Sequence, residues 1–264
     1  VEALASIRAE TAALEAELVE LDQRRASGEC YVAVFGEISA GKSSLIRALA
    51  PQAAADVDVL GGTTTQVAHY RGKLGDRALV LADVPGTHEV GAARRETIAR
   101  DEALRAHAVV YVASGDLTRQ QDDELRWLHG YGKPLLLALN KVDQWNARER
   151  DQLVAALEQR YGESIAALVP VRAGGSERFE RVLADGRREA VVRDSAPDVD
   201  GLCKKLAALV AGDAQQLETA REHAVLGGLG QRIAETEREA REREATRVVE
   251  RYTRRAVIGA LAAV

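Results

Sequence analysis

The residues best suited to chemistry lie at 36–43, between the apolar run YVAVF and the helix-compatible segment that begins at Ser43. Their order, GEISAGKS, matches the pattern G-x-x-x-x-G-K-[ST]. Glycines let the backbone curl so that successive N–H groups point at phosphate oxygens, and a following helix N-terminus adds a favourable dipole. We expect Lys42 to contact the outer phosphates and the Ser43 hydroxyl to bind Mg²⁺. The residues expected to cradle the phosphates are Gly36, Glu37, Ile38, Ser39, Ala40, Gly41, Lys42, Ser43 and Ser44.

A second motif, N-K-x-D, follows the apolar run PLLLAL and indicates which base is bound. The carboxylate of Asp143 can accept hydrogen bonds from N1–H and the 2-amino group of guanine, a donor pair that adenine lacks on that edge. Asn140 can bond the base and tie loops together, while the stem of Lys141 covers the ring face. In VPVRAGG, Arg172 and Ala173 follow the last apolar run, and the Ala173 N–H could contact guanine O6.

Two further segments are expected to contact the γ-phosphate. The sequence DVPG matches D-x-x-G, so we expect Asp83 to bind Mg²⁺ through water and the Gly86 N–H to contact the γ-phosphate. Upstream, GGTTTQ supplies hydroxyls, of which Thr64, and next to it Thr65, is expected to complete the Mg²⁺ shell. The predicted metal ligands are Ser43, Thr64 and Asp83.

The apolar runs around these motifs predict the scaffold. Runs typical of buried strands occupy residues 31–36, 78–84, 108–114, 134–140 and 167–171. Helix-compatible segments lie around residues 42–50, 93–106, 119–130 and 147–161. Strands alternating with helices at this spacing favour a parallel sheet covered on both faces. We therefore predict an α/β fold with a doubly wound, mostly parallel sheet, to which N- and C-terminal helices are appended.

The chain divides into three predicted regions. Residues 1–28 form an amphipathic helix with a heptad stripe, which could pack on its own domain or form an intermolecular coiled coil. Residues 29–211 form the nucleotide-binding domain, with a hairpin insertion near 178–193 around the turn Asp185-Gly186. Residues 212–264 form a helical segment with charges of both signs that leads to a hydrophobic region. Its apolar stripe could pair with the N-terminal helix.

Composition narrows the class of function. Hydrophobic residues make up 46% of the chain, which supports a real core. The chain has 41 acidic and 36 basic residues, and its net charge of −5 argues against nucleic-acid binding driven by net positive charge. We expect no specific nucleic-acid partner. Two cysteines are too few for a disulfide framework and fit the reducing cytoplasm.

The printed sequence ends within the apolar run AVIGALAAV, directly after Arg254 and Arg255. This run is too short to span a bilayer, which requires about 20 residues. We expect the full-length protein to continue into one or two hydrophobic segments, with both arginines on the cytoplasmic side. This would place the protein at the cytoplasmic face of the inner membrane.

The ordered set GEISAGKS, GTT, DVPG, NKVD and VRA resembles the translation-factor-related P-loop GTPases. The form GEISAGKSSLIRAL is most similar to the Era-like and bacterial dynamin-like branches, and the resemblance covers residues 31–211. The segment DLTRQQDDELRWL, with GKPLLLALNKVD, is similar to Era-like GTPases that have a hydrophobic, membrane-associating C-terminal region. The resemblance implies hydrolysis of GTP to GDP with Mg²⁺. It also implies the catalytic set Lys42, Ser39, Thr64 and Gly86.

The sequence departs from better-known members of this class at several positions. Thr87 stands where Ras-type enzymes carry the glutamine that positions water, and Arg172 stands where serine is commoner. Ser39 stands where several Era relatives have an asparagine that helps to bind a potassium ion, so K⁺ is a further candidate cofactor. We expect slow basal turnover that a cation, or a second copy docked through the switch regions or the helices, accelerates. The alternatives are a nucleotide-binding scaffold with little hydrolysis and an Era-like GTPase linked to ribosomes or RNA. An ATPase is opposed by Asp143.

Overall fold

The computed structural model describes residues 15, 19, 22, 26, 28–53, 55–58, 67–84, 92–182, 188–212 and 214–261. The chain separates into two compact units. One comprises Glu20–Ala224, and the other comprises Val1–Val19 with Val225–Val264.

A seven-stranded sheet forms the centre of the first unit. Its strands are β1 (Cys30–Gly36), β2 (Ala55–Asp58), β3 (Val67–Leu74), β4 (Arg77–Asp83), β5 (Ala108–Ala113), β6 (Leu135–Leu139) and β7 (Ala167–Pro170). They lie in the order β2-β3-β4-β1-β5-β6-β7. The pairs β4–β1, β1–β5, β5–β6 and β6–β7 are parallel, whereas β2–β3 and β3–β4 are antiparallel. The predicted fold class, a mostly parallel α/β sheet, is confirmed.

Helices pack on both faces of this sheet, because successive residues of each buried strand point to opposite sides. The helices of this unit are α1 (Lys42–Leu49), α2 (Ala92–Arg105), α3 (Arg119–His129), α4 (Ala147–Tyr161) and α5 (Asp200–Gly212). In β1, Tyr31 and Phe35 belong to the core cluster that includes residues of α2, α3 and α4. Val32 and Val34 belong to the other cluster, with residues of α1 and α5. Both faces of β1 are therefore covered, which is why YVAVF is apolar without alternation.

The helix N-termini differ in a way that bears on function. Thr118 and Asn146 begin α3 and α4 with reciprocal capping boxes, formed with Gln121 and Glu149 respectively. Helix α1 has no side-chain cap, and Gly41 precedes it with φ of 90°. No capping side chain accepts from the first N–H groups of α1, so these groups can donate hydrogen bonds to a ligand.

The strands β2 and β3 were not among the sequence predictions. Strand β3, VAHYRGKL, alternates buried and more exposed residues along its first half, as expected for an antiparallel strand near a sheet edge. It turns into β4 through Gly75-Asp76, where Gly75 has φ of 62°. A search restricted to continuous apolar runs overlooks such a strand. The alternation and the Gly-Asp turn are the signals that predict it.

An antiparallel ribbon of two strands follows β7. It consists of β8 (Gly175–Val182) and β9 (Arg188–Ser195), which pair from Gly175↔Ser195 to Val182↔Arg188. The predicted turn at residues 185–186 lies outside the described residues. In the described part of the chain, this ribbon is a sheet of its own.

A long helix, α6 (Ala214–Leu261), ends the described chain. Within the second unit it carries exposed i,i+4 ion pairs, such as Arg238–Glu242 and Arg243–Glu239, which suit a solvated helix face. At the N-terminus, residues 15, 19, 22 and 26 are helical and residue 28 lies in a turn; the other residues of the predicted helical region 1–28 lie outside the described residues. None of the described helices combines the length and the apolar character needed to cross a membrane.

Candidate nucleotide-binding site

The phosphate loop turns between the end of β1 and the start of α1. Gly36 has φ of 129°, and a Cβ at this position would overlap the carbonyl oxygen of Val112 in β5. Gly41 has φ of 90°, and a Cβ there would lie 2.5 Å from Nδ2 of Asn140. Glycine is therefore required at both ends of the loop by backbone conformation and by close packing. A short 3₁₀ turn, Ile38–Ala40, joins them.

Lys42 is the first residue of α1, and its side chain extends back to the start of the phosphate loop. Its side chain is only 6% exposed, and Nζ donates a 3.0 Å hydrogen bond to the Gly36 carbonyl. Nζ also lies 3.9 Å from Oδ1 of Asp83. The structure therefore holds the ammonium group beside the loop backbone at the position where the sequence pattern requires a phosphate-binding cation.

Ser43 and Asp83 are brought together at the candidate metal site. The Ser43 hydroxyl donates a 3.0 Å hydrogen bond to Oδ2 of Asp83. One hydroxyl and one carboxylate, both oxygen donors, suit Mg²⁺, which binds few protein ligands and keeps several waters. These two residues fit the predicted ion. The third predicted ligand, Thr64, lies outside the described residues.

The side chain of Asn140 joins the phosphate loop to the base-binding edge. It is 2% exposed. Its Nδ2 donates to the Ala40 carbonyl at 2.9 Å, and its Oδ1 accepts from the Ala173 N–H at 3.0 Å. We call this pair of hydrogen bonds the Asn140 clamp. It links three loops that lie far apart in the sequence.

The neighbouring base-motif residues take different positions. Lys141 has a left-handed backbone with φ of 61°, and its Nζ donates to the Ser39 carbonyl at 2.6 Å. Its stem therefore extends along the phosphate loop. Asp143 is exposed in the 3₁₀ turn Val142–Gln144. Its carboxylate is thus accessible to a ligand.

Arg172 and Ala173 form hydrogen bonds with other residues of the chain. The Ala173 N–H, expected to contact guanine O6, donates to Asn140 instead. Nε of Arg172 donates to the Ala196 carbonyl at 3.0 Å, and its backbone forms a bridge with Asp198. The Arg172 guanidinium thus secures the chain after the β8–β9 ribbon.

The remaining predicted site residues are described only in part. Glu37 and Ser39 are exposed on the loop, and Ala40 is buried. The backbone of Ile38 is part of the 3₁₀ turn. The residues predicted to contact the γ-phosphate lie outside the described residues: Thr64, Thr65 and Gly86.

Sequence reasoning missed a buried polar network behind the site, formed by β1, β3 and α2. The hydroxyl of Tyr31 donates to Oε2 of Glu102 at 2.9 Å and also bonds Nε2 of His69. His69 is 2% exposed and Glu102 is 1% exposed. His69 lies in β3, which follows the GGTTTQ segment, and Glu102 lies in α2, which follows DVPG. The network therefore connects the two elements that follow the segments predicted to contact the γ-phosphate. A glutamate within an otherwise ordinary helical pattern gives no sequence signal of such burial.

A second buried polar cluster surrounds His107. Nδ1 of His107 accepts from the Tyr31 N–H at 2.9 Å, so the ring proton lies on Nε2, which bonds Glu218 of α6 at 2.8 Å. Burial lowers the pKa of His107, against the opposing effect of its bond to Glu218. Burial alone would raise the pKa of Glu218, but hydrogen bonds from Arg221 and His107 hold it below its ordinary value.

Lys133 completes this cluster. Its Nζ donates to the carbonyls of Leu104 and Ala106, both at 2.8 Å, and thereby caps the C-terminal end of α2. Burial, reinforced by the nearby charge of Arg221, lowers the pKa of Lys133 from 10.5 to about 7. The cluster therefore joins the end of α2 to the first turns of α6 within one unit.

Comparison with known proteins agrees with this geometry. The family described as "50S ribosome-binding GTPase" matches residues 31–141. The chain is 32% identical over 150 residues to the tRNA modification GTPase MnmE of Halorhodospira halophila, covering 52% of this chain and 31% of that protein. It is 31% identical over 154 residues to translation initiation factor IF-2 of Carboxydothermus hydrogenoformans, covering 58% of this chain and 17% of that protein.

Among solved structures, the cytosolic domain of the iron transporter FeoB of T. maritima in its GMPPNP form is 25% identical. It matches with a TM-score of 0.46 over 55% of this chain and 57% of the FeoB chain. The matched segment carries the phosphate-loop and base motifs described above and is similar to P-loop GTPase domains. The chain spans about a third of the MnmE sequence and a sixth of the IF-2 sequence.

Proposed function

We propose that this chain binds GTP with Mg²⁺, hydrolyses it to GDP and phosphate, and acts as a nucleotide-controlled switch. The observation that carries the proposal is the Asn140 clamp, which brings the phosphate loop and the base-binding loops to one edge of the sheet. Ser43 and Asp83 adjoin the same loop, at the end of the β-strands where nucleotides bind in α/β sheets.

The chain's contribution to hydrolysis is positioning and charge neutralisation. The N–H groups around Gly41 and the uncapped start of α1 bind phosphate oxygens, and Lys42 neutralises charge on the outer phosphates. Ser43 and Asp83 would hold Mg²⁺, which would neutralise charge on the phosphates. Since Thr87 replaces the water-orienting glutamine of Ras-type enzymes, we expect slow basal turnover.

The first test compares two lysine variants. Lys42→Ala removes the phosphate-binding ammonium and should reduce GTP turnover by about 100-fold or more. Lys73→Ala, a substitution at an exposed position of β3, is the matched control and should leave turnover unchanged. Equal rates for the two variants would refute the assignment of Lys42. Tight GTP binding by the wild-type chain with no turnover would favour the nucleotide-binding scaffold.

Base identity is tested by changing the hydrogen-bonding pattern of Asp143. Asp143→Asn replaces an acceptor by a donor where guanine offers its 2-amino group, so preference should shift from GTP to xanthosine triphosphate. Asp123→Asn, at an exposed position of α3, is the matched control. Unchanged preference for GTP in Asp143→Asn would contradict the predicted base contact.

We further propose that a monovalent cation or a second copy accelerates hydrolysis. Ser39 supports this proposal because it is exposed on the phosphate loop, at the position where Era relatives bind potassium through asparagine. Turnover should be measured in potassium and in sodium over a range of protein concentrations. A rate that rises only in potassium indicates a cation, and a specific rate that rises with concentration indicates assembly through the switch regions or helices. A rate independent of both would reject the proposal.

Membrane association at the cytoplasmic face of the inner membrane is proposed from the sequence. Arg254 and Arg255 precede an apolar run, and α6 continues through Leu261. The protein expressed from its own gene should fractionate with membranes and resist extraction by high salt. A fully soluble product would reject this proposal and, with it, the dynamin-like interpretation.

A second candidate is a role linked to ribosomes or RNA. It is favoured by the description of the matching family and by the name of the tRNA modification relative. The chain's net charge of −5 weighs against it. Co-sedimentation with 50S subunits in the presence of a non-hydrolysable GTP analogue would support this role, and its absence at low salt would reject it.

A further inference from the structure

Each strand of the β8–β9 ribbon has an outer edge that faces away from the other strand. Within the described part of the chain, β8 pairs only with β9, and neither strand joins the main sheet. A lone two-stranded ribbon is marginally stable, and an open strand edge is a template for pairing with another strand. The ribbon's sequence indicates which strand that is.

Some facing positions of β8 and β9 hold residues of opposite charge. The register places Glu177 opposite Arg193 and Arg181 opposite Glu189. Oppositely charged residues at such cross-strand positions stabilise a ribbon. Residues of opposite charge at these facing positions favour the pairing of β8 with β9.

Arg178 and Glu180 differ from these pairs. The register places Arg178 opposite Val192 and Glu180 opposite Ala190. The cross-strand position facing each of these charges therefore holds a neutral residue. A charge that matches each of them can come from a strand on the other side of β8.

The sequence of β8 supplies that match when it is paired with itself. Residues 176–182 read SERFERV. In an antiparallel pairing centred on Phe179, Arg178 lies opposite Glu180 of a second copy, and Glu177 lies opposite its Arg181. Phe179 lies opposite the same residue of the second copy at the centre.

This register is selective. If one β8 strand is displaced along the other by one residue, Arg178 faces Arg181 of the second copy in one direction, and Glu177 faces its Glu180 in the other. If the displacement is two residues, Arg178 faces Arg178 of the second copy, or Glu180 faces its Glu180. Like charges directly opposite one another destabilise a sheet, so the centred register is favoured over its neighbours.

We propose that the outer edge of β8 pairs antiparallel with β8 of a second copy of this chain, about a two-fold axis through Phe179. The result is a four-stranded sheet shared by two chains, formed by β-strand addition. One strand pair buries much less than the roughly 1,600 Å² of a standard interface. The dimer is therefore weak on its own and forms where the chain is concentrated.

Sedimentation velocity of the chain over about 1–300 µM, a range suited to weak association, tests the proposal. Arg178→Glu or Glu180→Arg places like charges at two symmetric positions, so either variant should weaken dimerisation by about tenfold or more. Neither substitution creates a like-charge pair within the ribbon, because the facing residues of β9 are neutral. Circular dichroism should show unchanged folding in both variants.

Mixing the two variants provides the decisive readout. In a mixed dimer, the glutamate introduced at position 178 of one chain faces the arginine introduced at position 180 of the other. The opposite-charge pairs therefore return, and the equimolar mixture should dimerise as wild type does.

Arg188→Glu on β9 is the control with the same charge reversal and should have no effect. A monomer at every concentration, variants that dimerise as wild type does, or a mixture that stays monomeric would each overturn the proposal. Loss of the dimer in Arg188→Glu alone would place the contact on β9 and overturn it as well.

Discussion

Replacing Asn140 by alanine tests whether one side chain holds the nucleotide-binding edge together. Asn140→Ala removes both hydrogen bonds of the Asn140 clamp and leaves the Ala40 carbonyl and the Ala173 N–H without their partner. A net contribution of about 1 kcal/mol per bond, plus the cost of groups left buried and unpaired, predicts a loss of about 2–4 kcal/mol in the free energy of unfolding. For a domain of this size, the melting temperature should fall by about 5–15 °C.

The assay is urea unfolding of the nucleotide-free chain, followed by circular dichroism, with two comparison variants. Asn140→Asp keeps an acceptor for Ala173 but places a buried carboxylate against the Ala40 carbonyl, so it should be at least as destabilising as Asn140→Ala. Asn146→Ala makes the same substitution at the N-cap of α4, where a side-chain oxygen accepts from the Glu149 N–H at 3.0 Å. This control should cost about 1 kcal/mol. If Asn140→Ala costs no more than Asn146→Ala, the clamp does not hold the loops.

Three further predictions concern the loop and the His107 cluster. Gly36→Ala should destabilise the fold by about 3 kcal/mol or more in thermal melts, because the added Cβ overlaps a β5 carbonyl. In the control Gly75→Ala the added Cβ meets no atom, and the loss should be about 1 kcal/mol. Equal losses in the two variants would contradict the packing argument. The pKa of Lys133 falls from 10.5 to about 7 on folding. The unfolded state therefore binds the proton more tightly, and stability should rise by about 2–3 kcal/mol from pH 7 to 9. Lys133→Met should remove that rise in urea unfolding, and an unchanged slope would refute it. Because the folded state also lowers the pKa of His107, stability should fall as the pH drops below the ordinary value of 6.5. His107→Gln should flatten that acid limb, and a limb as steep as wild type would exclude His107 as its cause.

The parallel core of the fold was predictable because burial on both faces leaves a simple trace in the sequence. The runs that became β1, β4, β5, β6 and β7 are continuous and apolar, and their helices alternate with them. Strands β2 and β3 lie at the antiparallel edge, where only alternation marks a strand. They were missed for that reason.

The candidate site was predictable where function constrains local sequence. The types and spacing of Lys42, Ser43, Asp83 and Asn140 match a pattern expected for phosphate, metal and base binding. The structure brings these side chains close to the phosphate loop, and their roles stay predictions. The partners of Arg172 and Ala173 depend on how the chain returns from the β8–β9 ribbon, which no local pattern encodes. The burial of Glu102 likewise depends on tertiary packing.

The bond between His107 and Glu218 extends the folded nucleotide-binding domain into the start of α6. The recognisable motifs finish near residue 211, yet Glu218 supplies the acceptor for a buried histidine, and Arg221 is fully buried in the same unit. A fragment cut at 211 would expose His107 and part of the Lys133 cluster to water, and recombination at that point would damage the domain that it was meant to preserve. A truncated or chimaeric form of this domain must therefore keep the first turns of α6. Replacing the whole of α6 would remove side chains that belong to the domain's buried cluster.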